Sequence, residues 1–271
     1  MTGETIGLFG GTGSTGNYFL RLALEAGFKV QACVRNPDKI DKEIQDKYKD
    51  KDKDQLVIVQ GTFTEKQDIA KTIQGATYVV CMAGAPMGKP KEYPKDIMLT
   101  FFTTLTQVIQ ENNTSSTSST SSSTSSTPPK VVLYQAGAFS PTPDRPLTMI
   151  HSVFKAVGQW VMGLGPNVDD NTQVIAYIHQ NINTLGFNTI VSRPGMLNDK
   201  PGGNVQLKAD HFSPTNFAIT FSDLAIWSLK AIQDSSLYGT FPFVVPIDQD
   251  ILPRKKEPAA SNKEEDVGET K

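Results

Sequence analysis

Short apolar runs alternate with amphipathic stretches along most of the chain. The runs are rich in β-branched residues, as strands buried on both faces of a sheet are, and they predict strands over Thr5–Phe9, Phe28–Val34, Leu56–Val59, Thr77–Met82, Lys130–Tyr134 and Asn188–Ser192. Helical spacing of apolar residues predicts helices over Thr15–Ala26, Asp68–Ile73, Lys95–Gln110 and Asn171–Leu185. Regular alternation of strands and helices predicts an α/β fold with a doubly wound parallel sheet.

Other segments fall outside this alternation. Residues 113–129 contain an unbroken Ser/Thr tract and residues 254–271 are charged and aperiodic, so both are expected to be disordered. Residues 1–250 are expected to form one domain, with residues 196–250 as a small C-terminal substrate lobe carrying a helix and a last strand (Ser222–Gln233 and Thr240–Val245). Pro141–Leu164 is expected to cover the substrate end as a helical flap, although its Met and aromatic stripe also fits ordinary packing.

A glycine-rich turn separates the first strand from the first helix. The segment Gly10–Gly16 (GGTGSTG) satisfies both G-x-G-x-x-G and G-x-x-G-x-x-G. Glycine lets the chain turn sharply, lets the backbone approach a pyrophosphate and lets the helix pack closely on the strand. The free N–H groups of the helix N-terminus favour the phosphates. In this strand–turn–helix context, the motif predicts a Rossmann-type dinucleotide site.

The end of the second strand indicates which dinucleotide is bound. Sites that prefer NAD place an acidic residue there to hold the ribose 2′-hydroxyl. This chain instead has Arg35, in Cys33-Val34-Arg35-Asn36-Pro37, with Lys39 close behind. A guanidinium can bind a 2′-phosphate in bidentate fashion. We therefore expect NADP(H) as the cofactor; an ordinary surface arginine is the alternative.

These motifs resemble the atypical short-chain dehydrogenase/reductases. This NAD(P)H-binding group includes NmrA-like proteins and biliverdin reductase B-like flavin reductases. The resemblance runs from about Thr5 to Val245. Besides the glycine loop and the Arg35 step, it rests on Gln60-Gly61-Thr62, Ala83-Gly84, Arg193-Pro194-Gly195 and Ile219–Ala225.

The resemblance implies a set of cofactor contacts. Thr12, Ser14 and Thr15 would line the pyrophosphate together with Gly10, Gly13 and Gly16, and Arg35 would hold the 2′-phosphate. The adenine edge, the ribose and the nicotinamide end would be formed, in turn, by Thr62-Phe63, by Ala83-Gly84, and by Ala136 with Pro194-Gly195-Met196.

The usual catalytic residues of the superfamily are missing. A Tyr-x-x-x-Lys pair normally supplies the proton, because the Lys lowers the Tyr pKa. Counted back from Arg193, the matching positions are Asn171 and Ile175, and the family's serine falls near Ala136. Tyr177 has no lysine four residues on. Carbonyl reduction through the standard proton relay is therefore disfavoured.

His179 is the candidate catalytic residue that remains. It matches a histidine of the biliverdin reductase B-like proteins, and it shares a predicted helical stripe with Ile175, Ile182 and Gly186. We expect it to face the cofactor side and act at the substrate site, or to be an ordinary packed histidine. His151 and His211 show no ligand spacing with it, so no metal is expected.

Composition limits the class of protein. The net charge of −2 over 271 residues gives no field that would attract nucleic acid or an anionic membrane. Cys33 and Cys81 lie in apolar runs and predict buried thiols in a reducing compartment. No apolar stretch approaches the roughly 18 residues of a membrane helix. We expect a cytoplasmic protein with a small-molecule acceptor.

Three functional hypotheses fit these features. The first is an NADPH-dependent reductase of a flavin, quinone or similar flat acceptor, which needs no Tyr–Lys pair because hydride transfer to such an acceptor can take its proton from water. The second is a non-catalytic, NmrA-like NADP(H) sensor or scaffold with a protein partner. The third is a reductase or isomerase of a specific metabolite that uses His179 as its acid.

Overall fold

The computed structural model describes residues 3–49, 55–84, 94–116, 128–137, 140–142, 165–202, 207–208 and 218–246. Within these ranges the strands are β1 (Thr5–Phe9), β2 (Lys29–Val34), β3 (Leu56–Gln60), β4 (Tyr78–Cys81), β5 (Val131–Gln135), β6 (Asn188–Pro194), β7 (Met196–Asn198), β8 (Leu207–Lys208), β9 (Ala218–Thr220) and β10 (Phe243–Pro246). The helices are α1 (Ser14–Glu25), α2 (Lys42–Tyr48), α3 (Lys66–Ile73), α4 (Ile97–Ser116), α5 (Gly165–Asn181) and α6 (Phe221–Ala231).

The main sheet has the strand order β3-β2-β1-β4-β5-β6-β10-β8. The first seven strands pair in parallel and β8 pairs antiparallel with β10. The order reverses beside β1, since β2 lies on one side of it and β4 on the other. In open α/β sheets, ligands bind in the crevice that such a reversal opens at the carboxyl ends of the strands. The predicted Rossmann-type α/β fold is confirmed.

Two apolar layers hold the helices on opposite faces of the sheet. One cluster packs the sheet against α1, α2 and α6, through residues such as Phe19, Leu20, Ile44 and Ala225. The other packs it against α3, α4 and α5, through residues such as Ile69, Phe101, Phe102 and Val174. Central strands face both clusters, which is why β4 is buried at every position.

Several predicted boundaries were wrong. Helix α4 continues to Ser116, so the Ser/Thr tract begins as helix rather than as a disordered loop, and Pro129 is buried. Helix α5 starts at Gly165 and ends at Asn181, because Thr184 and Leu185 N–H groups bond Asn181 O in a closing turn. Most of the predicted flap and all of the charged tail lie outside the described residues, because the structure does not describe residues 117–127, 138–139, 143–164 and 247–271.

Three features of the fold were not predicted from the sequence. The charged segment after β2 contains α2, which Asp41 caps by accepting from Glu43 N at 3.0 Å. In the predicted C-terminal lobe, β10 extends the main sheet and α6 packs on α1. Strands β7 and β9 instead form a separate two-stranded sheet. None of the described helices is long and apolar enough to cross a membrane.

Candidate cofactor site

The glycine loop is folded so tightly that side chains would collide with its backbone. Gly10 has φ +83, and a Cβ there would lie 2.5 Å from Ala83 N, in the loop after β4. A Cβ on Gly16 would lie 2.0 Å from Gly10 O. Gly13 N donates to Gly10 O at 2.9 Å and closes the turn. The glycines therefore bring the loop, the first turn of α1 and the end of β4 into direct contact.

The N-terminus of α1 has the features of an anion site. Its N-cap is Gly13, and no side chain caps the helix there. Thr12 and Ser14 are exposed, whereas Thr15 is buried. The first N–H groups of a helix have no intrahelical partner, and the helix dipole makes this end positive. A diphosphate on this turn would meet those N–H groups with the Thr12 and Ser14 hydroxyls beside them.

Arg35 stands where β2 leaves the sheet. Its side chain is exposed, and within the described ranges no hydrogen bond or ion pair engages the guanidinium. The preceding residue, Val34, accepts from Gly61 N at 3.0 Å, so the ends of β2 and β3 are joined. The guanidinium is thus available to an anion at the β2 end of the crevice.

The loop after β3 is held by α3 and by an aromatic row. Asp68 Oδ2 accepts from Thr62 N at 3.0 Å. The Thr62 and Thr64 hydroxyl oxygens lie 3.0 Å apart. The half-buried Phe63 ring packs edge-on against Phe101, with centroids 5.6 Å apart. Thr62 and Phe63 therefore hold fixed positions at the carboxyl edge.

The end of β4 lies beneath the glycine loop. Ala83 is half-buried against Gly10, and Gly84 is exposed with open space where a Cβ would stand. Cys81 and Cys33, at the ends of β4 and β2, are buried free thiols. Burial raises the pKa of the Cys81 thiol to about 12 and that of Cys33 to about 11. Both residues are packing groups rather than nucleophiles.

The ends of β5 and β6 form the other half of the edge. Ala136 is buried and donates its N–H to Ser192 O at 2.8 Å. Gly195 N donates to Val244 O at 3.4 Å, and Pro194 pairs with Val244 between β6 and β10. Met196 follows with 53% exposure.

Gln135 offers an unused acceptor at the same end of β5. Its Oε1 is buried, and no described residue donates to it. A buried acceptor left unpaired costs about 1–3 kcal/mol. The carboxamide and ribose hydroxyls of a nicotinamide nucleotide are donors that could satisfy it. Sequence reasoning missed this residue, although a polar side chain at the end of the apolar run VVLYQ is a readable signal.

The position predicted to match the catalytic tyrosine is occupied by a packed residue. Asn171 is 7% exposed, and its Oδ1 accepts from the Tyr134 hydroxyl at 2.5 Å. Tyr134 is itself buried on β5, edge-on to Phe102. Ile175, at the position of the lysine, is fully buried in the layer beneath α5. Neither position presents an ionisable group to a substrate.

His179 lies in the last turn of α5. It is half-buried, with its ring centroid 6.2 Å from that of Phe241. Eight residues separate it from Asn171, or about 12 Å along the helix axis. Because α5 leads into the amino end of β6, His179 lies further from the carboxyl edge than Asn171 does. Ile182 and Gly186 follow the helix, so the predicted stripe was wrong beyond Ile175.

Arg193 is a structural residue. It is 1% exposed, and its Nε and Nη2 donate to Phe241 O at 2.9 and 2.6 Å. The guanidinium also stacks on the Phe243 ring, 3.8 Å from its centroid. The sequence resemblance included Arg193 but did not indicate its role. In the structure it joins β6 to the segment that leads into β10, behind Pro194-Gly195.

A groove of about 360 Å³ opens along α1 next to the loop, lined by Ser14, Asn17, Tyr18, Arg21 and Asp199. The Tyr18 hydroxyl donates to Asp199 Oδ1 at 3.3 Å, which links α1 to the segment after β7. Among the described residues, no group of His, Cys, Asp and Glu is arranged to hold a metal ion.

Sequence comparison points to the same cofactor class. Residues 10–143, almost half of the chain, match a family described as NAD(P)H-binding. This match begins at the glycine loop and extends past the end of β5, and so covers the carboxyl ends of β2 to β5 but not that of β6. This part of the chain is similar to an NAD(P)H-binding family. The predicted resemblance to NAD(P)H-binding proteins is thereby confirmed. No curated protein matches the chain in sequence.

Solved structures share the fold at low identity. A putative epimerase from Bacteroides thetaiotaomicron is 17% identical, with a TM-score of 0.62 over 90% of this chain and 98% of its own. An oxidoreductase from Lactococcus lactis is 13% identical, with a TM-score of 0.60 over 90% and 91%. A short-chain dehydrogenase/reductase from Veillonella parvula in complex with NADP is 12% identical, with a TM-score of 0.57 over 91% and 95%. These similarities show the fold alone.

Proposed function

We propose that this chain is an atypical short-chain dehydrogenase/reductase that binds NADPH along the carboxyl edge and reduces a flavin, quinone or similar flat acceptor. The observation that carries the proposal is the contrast at this edge. The glycine loop has no room for side chains at Gly10 and Gly16, as the close approach of a dinucleotide requires. Asn171 and Ile175, in contrast, occupy the positions predicted for a proton relay. A flat acceptor needs the dinucleotide site but can be reduced without the proton relay.

The fit to the cofactor rests on geometry. Gly10 and Gly16 leave no room for a side chain, the α1 N-terminus offers N–H groups without a side-chain cap, and Gln135 Oε1 offers a buried acceptor. In the proposed complex the pyrophosphate lies on Thr12, Ser14 and Thr15 with Gly10, Gly13 and Gly16. The nicotinamide end lies near Ala136 and Pro194-Gly195.

The preference for NADPH over NADH is part of the proposal. Arg35 is exposed and unengaged by described residues, and it follows Val34 at the end of β2. A 2′-phosphate on the adenosine ribose would accept charge-assisted hydrogen bonds from its fork. The adenine would lie against Thr62-Phe63, with Ala83-Gly84 beneath the ribose.

The chemistry assigned to the protein is positioning. Bound NADPH supplies the hydride. The chain's residues hold the nicotinamide end and an acceptor ring in contact and exclude water from between them. The acceptor takes its proton from solvent, so neither Asn171 nor the buried Tyr134 hydroxyl is asked to donate one.

Two other functions stay as candidates. A non-catalytic NADP(H) sensor with a protein partner is favoured by the burial of Asn171 and Ile175, because neither residue presents an ionisable group to a substrate. A metabolite reductase using His179 as its acid would need the ring to reach the acceptor. The position of His179 in the last turn of α5 makes this the third choice.

Steady-state NADPH oxidation with FMN, a quinone and dichlorophenolindophenol tests the proposal. We expect saturable turnover with at least one acceptor, and unchanged kcat/KM in Tyr134→Phe because the phenol takes no part. NADPH binding without turnover for any acceptor would favour the sensor. A loss of about tenfold or more in Tyr134→Phe at equal NADPH affinity would identify the phenol as an acid.

A further inference from the structure

One carboxylate holds the loop after β3 in shape. Asp68, in the first turn of α3, is half-buried and reaches back over the loop, where its Oδ2 accepts from Thr62 N at 3.0 Å. Its own backbone carbonyl accepts from the Thr72 hydroxyl at 2.6 Å, one helical turn on. The backbone of Asp68 is thus part of α3, while its carboxylate is bonded to the first residue after Gly61.

Gly61 is shaped around this carboxylate. A Cβ added to Gly61 would lie 2.2 Å from Asp68 Oδ2 and 2.4 Å from its Cγ. The space that a side chain would fill is thus already occupied by the carboxylate. Gly61 has no positive φ, so it is glycine for this contact and not for its backbone conformation.

The same loop is joined to the residue before Arg35. Gly61 N donates to Val34 O at 3.0 Å. On its other side Phe63 packs on Phe101, whose ring is 4.9 Å from that of Phe9 at the end of β1. The loop is therefore fixed at three points: Val34 O, the Phe101 ring and the Asp68 carboxylate. Of these three contacts, only that of Asp68 is a side-chain hydrogen bond to Thr62.

We propose that Asp68 is a positioning residue for the adenosine half of the dinucleotide, setting the shape of the Gly61-Thr62-Phe63 loop without contacting the ligand. This inference rests on the proposed NADPH site. A positioning residue at this loop affects only ligands that carry the adenosine half. It leaves the nicotinamide half, at the ends of β5 and β6, unaffected.

A double-mutant cycle tests the mechanism. Gly61→Ala should displace the carboxylate, and Asp68→Ala should remove it, so each should weaken 2′,5′-ADP binding by about tenfold. In the Asp68→Ala background the methyl of Gly61→Ala has room, so it should change binding by less than about twofold. Asp68→Asn keeps an acceptor oxygen for Thr62 N and should bind 2′,5′-ADP within about twofold of wild type.

Reduced nicotinamide mononucleotide and a remote variant serve as controls. Binding of reduced nicotinamide mononucleotide should be unchanged in Gly61→Ala, Asp68→Ala, the double variant and Asp68→Asn. A general loss of structure would weaken it. Asp234→Ala removes a comparable carboxylate, which accepts from Ser236 N at 2.9 Å after α6, and should leave both ligands unaffected. Additive losses in the cycle, or equal losses for the two ligands, would overturn the role of Asp68. Absence of NADPH binding by the wild-type protein would overturn the proposed function as well.

Discussion

The two halves of the carboxyl edge differ in the polar groups that they leave available to a ligand. At the ends of β1 to β4, backbone groups and an exposed guanidinium are available, and glycines hold the elements at contact distance. Beside the ends of β5 and β6, the positions predicted to match a catalytic Tyr–Lys pair hold Asn171 and Ile175 on α5, which contribute to packing. The first half, the binding half, is where the proposed cofactor would lie, and the second, the catalytic half, is continuous with the core except at Gln135.

This difference would allow a protein of the proposed kind to bind its cofactor without a proton relay. The binding half depends on backbone shape, which only glycine permits at Gly10 and Gly16. A Tyr–Lys relay depends on two side chains, and the positions predicted to match them hold core residues: Ile175 packs in the α3–α5 layer, and Asn171 accepts from the buried Tyr134 hydroxyl. Placing such a pair at these positions would therefore mean removing packing.

Ile175→Lys is expected to have the largest effect. The site is fully buried, and an unpaired ammonium there costs about 3–5 kcal/mol. Gln180→Lys is the matched control, because it adds the same charge at an exposed position of α5. Denaturant unfolding of both measures the comparison. A stability for Ile175→Lys close to that of the control would show that the catalytic half is more open than the packing indicates.

Gly16→Ala is expected to come next. In a helix, alanine is normally more favourable than glycine by about 0.5–1 kcal/mol. Here the Cβ would lie 2.0 Å from Gly10 O, so we expect a net loss of about 2–3 kcal/mol and no measurable NADPH binding. Gly84→Ala has open space for its Cβ and should retain wild-type stability. Equal melting temperatures for the two variants would contradict the close contact in the glycine loop.

Arg35→Ala is expected to affect one nucleotide and not the other. Loss of a charge-assisted contact to the 2′-phosphate should weaken NADPH by about 1.5–3 kcal/mol and leave NADH nearly unchanged. Titrating both nucleotides into both proteins measures the difference. Lys39→Ala, which removes an exposed charge nearby, controls for general electrostatics. Equal losses of affinity for NADPH and NADH would show that Arg35 does not bind the 2′-phosphate.

The sequence predicts the binding half better than the catalytic half for a physical reason. The glycine loop and the apolar strands are local patterns, and the first six predicted strands agree with β1 to β6 within two residues at each end. The bond from Tyr134 to Asn171 spans 37 residues, and that from Asp68 to Thr62 depends on how α3 turns back over β3. Helix α2 was missed because its apolar positions are sparse among charges, and Ile44 and Tyr48 are buried by α1 and the sheet.

His179→Ala is expected to have the smallest effect on turnover. The ring lies about 12 Å along α5 from Asn171, toward the amino end of β6. We therefore expect kcat/KM for the best acceptor within about threefold of wild type and an unchanged NADPH Kd. Loss of the half-buried contact with Phe241 should lower the Tm slightly. Measuring the Tm, the Kd and turnover on the same preparations separates these effects, with His179→Gln as a variant that keeps a polar side chain. A drop of about tenfold in kcat/KM with an intact Kd would make His179 a catalytic residue, and the half of the edge that lacks a Tyr–Lys relay would then have an acid of its own.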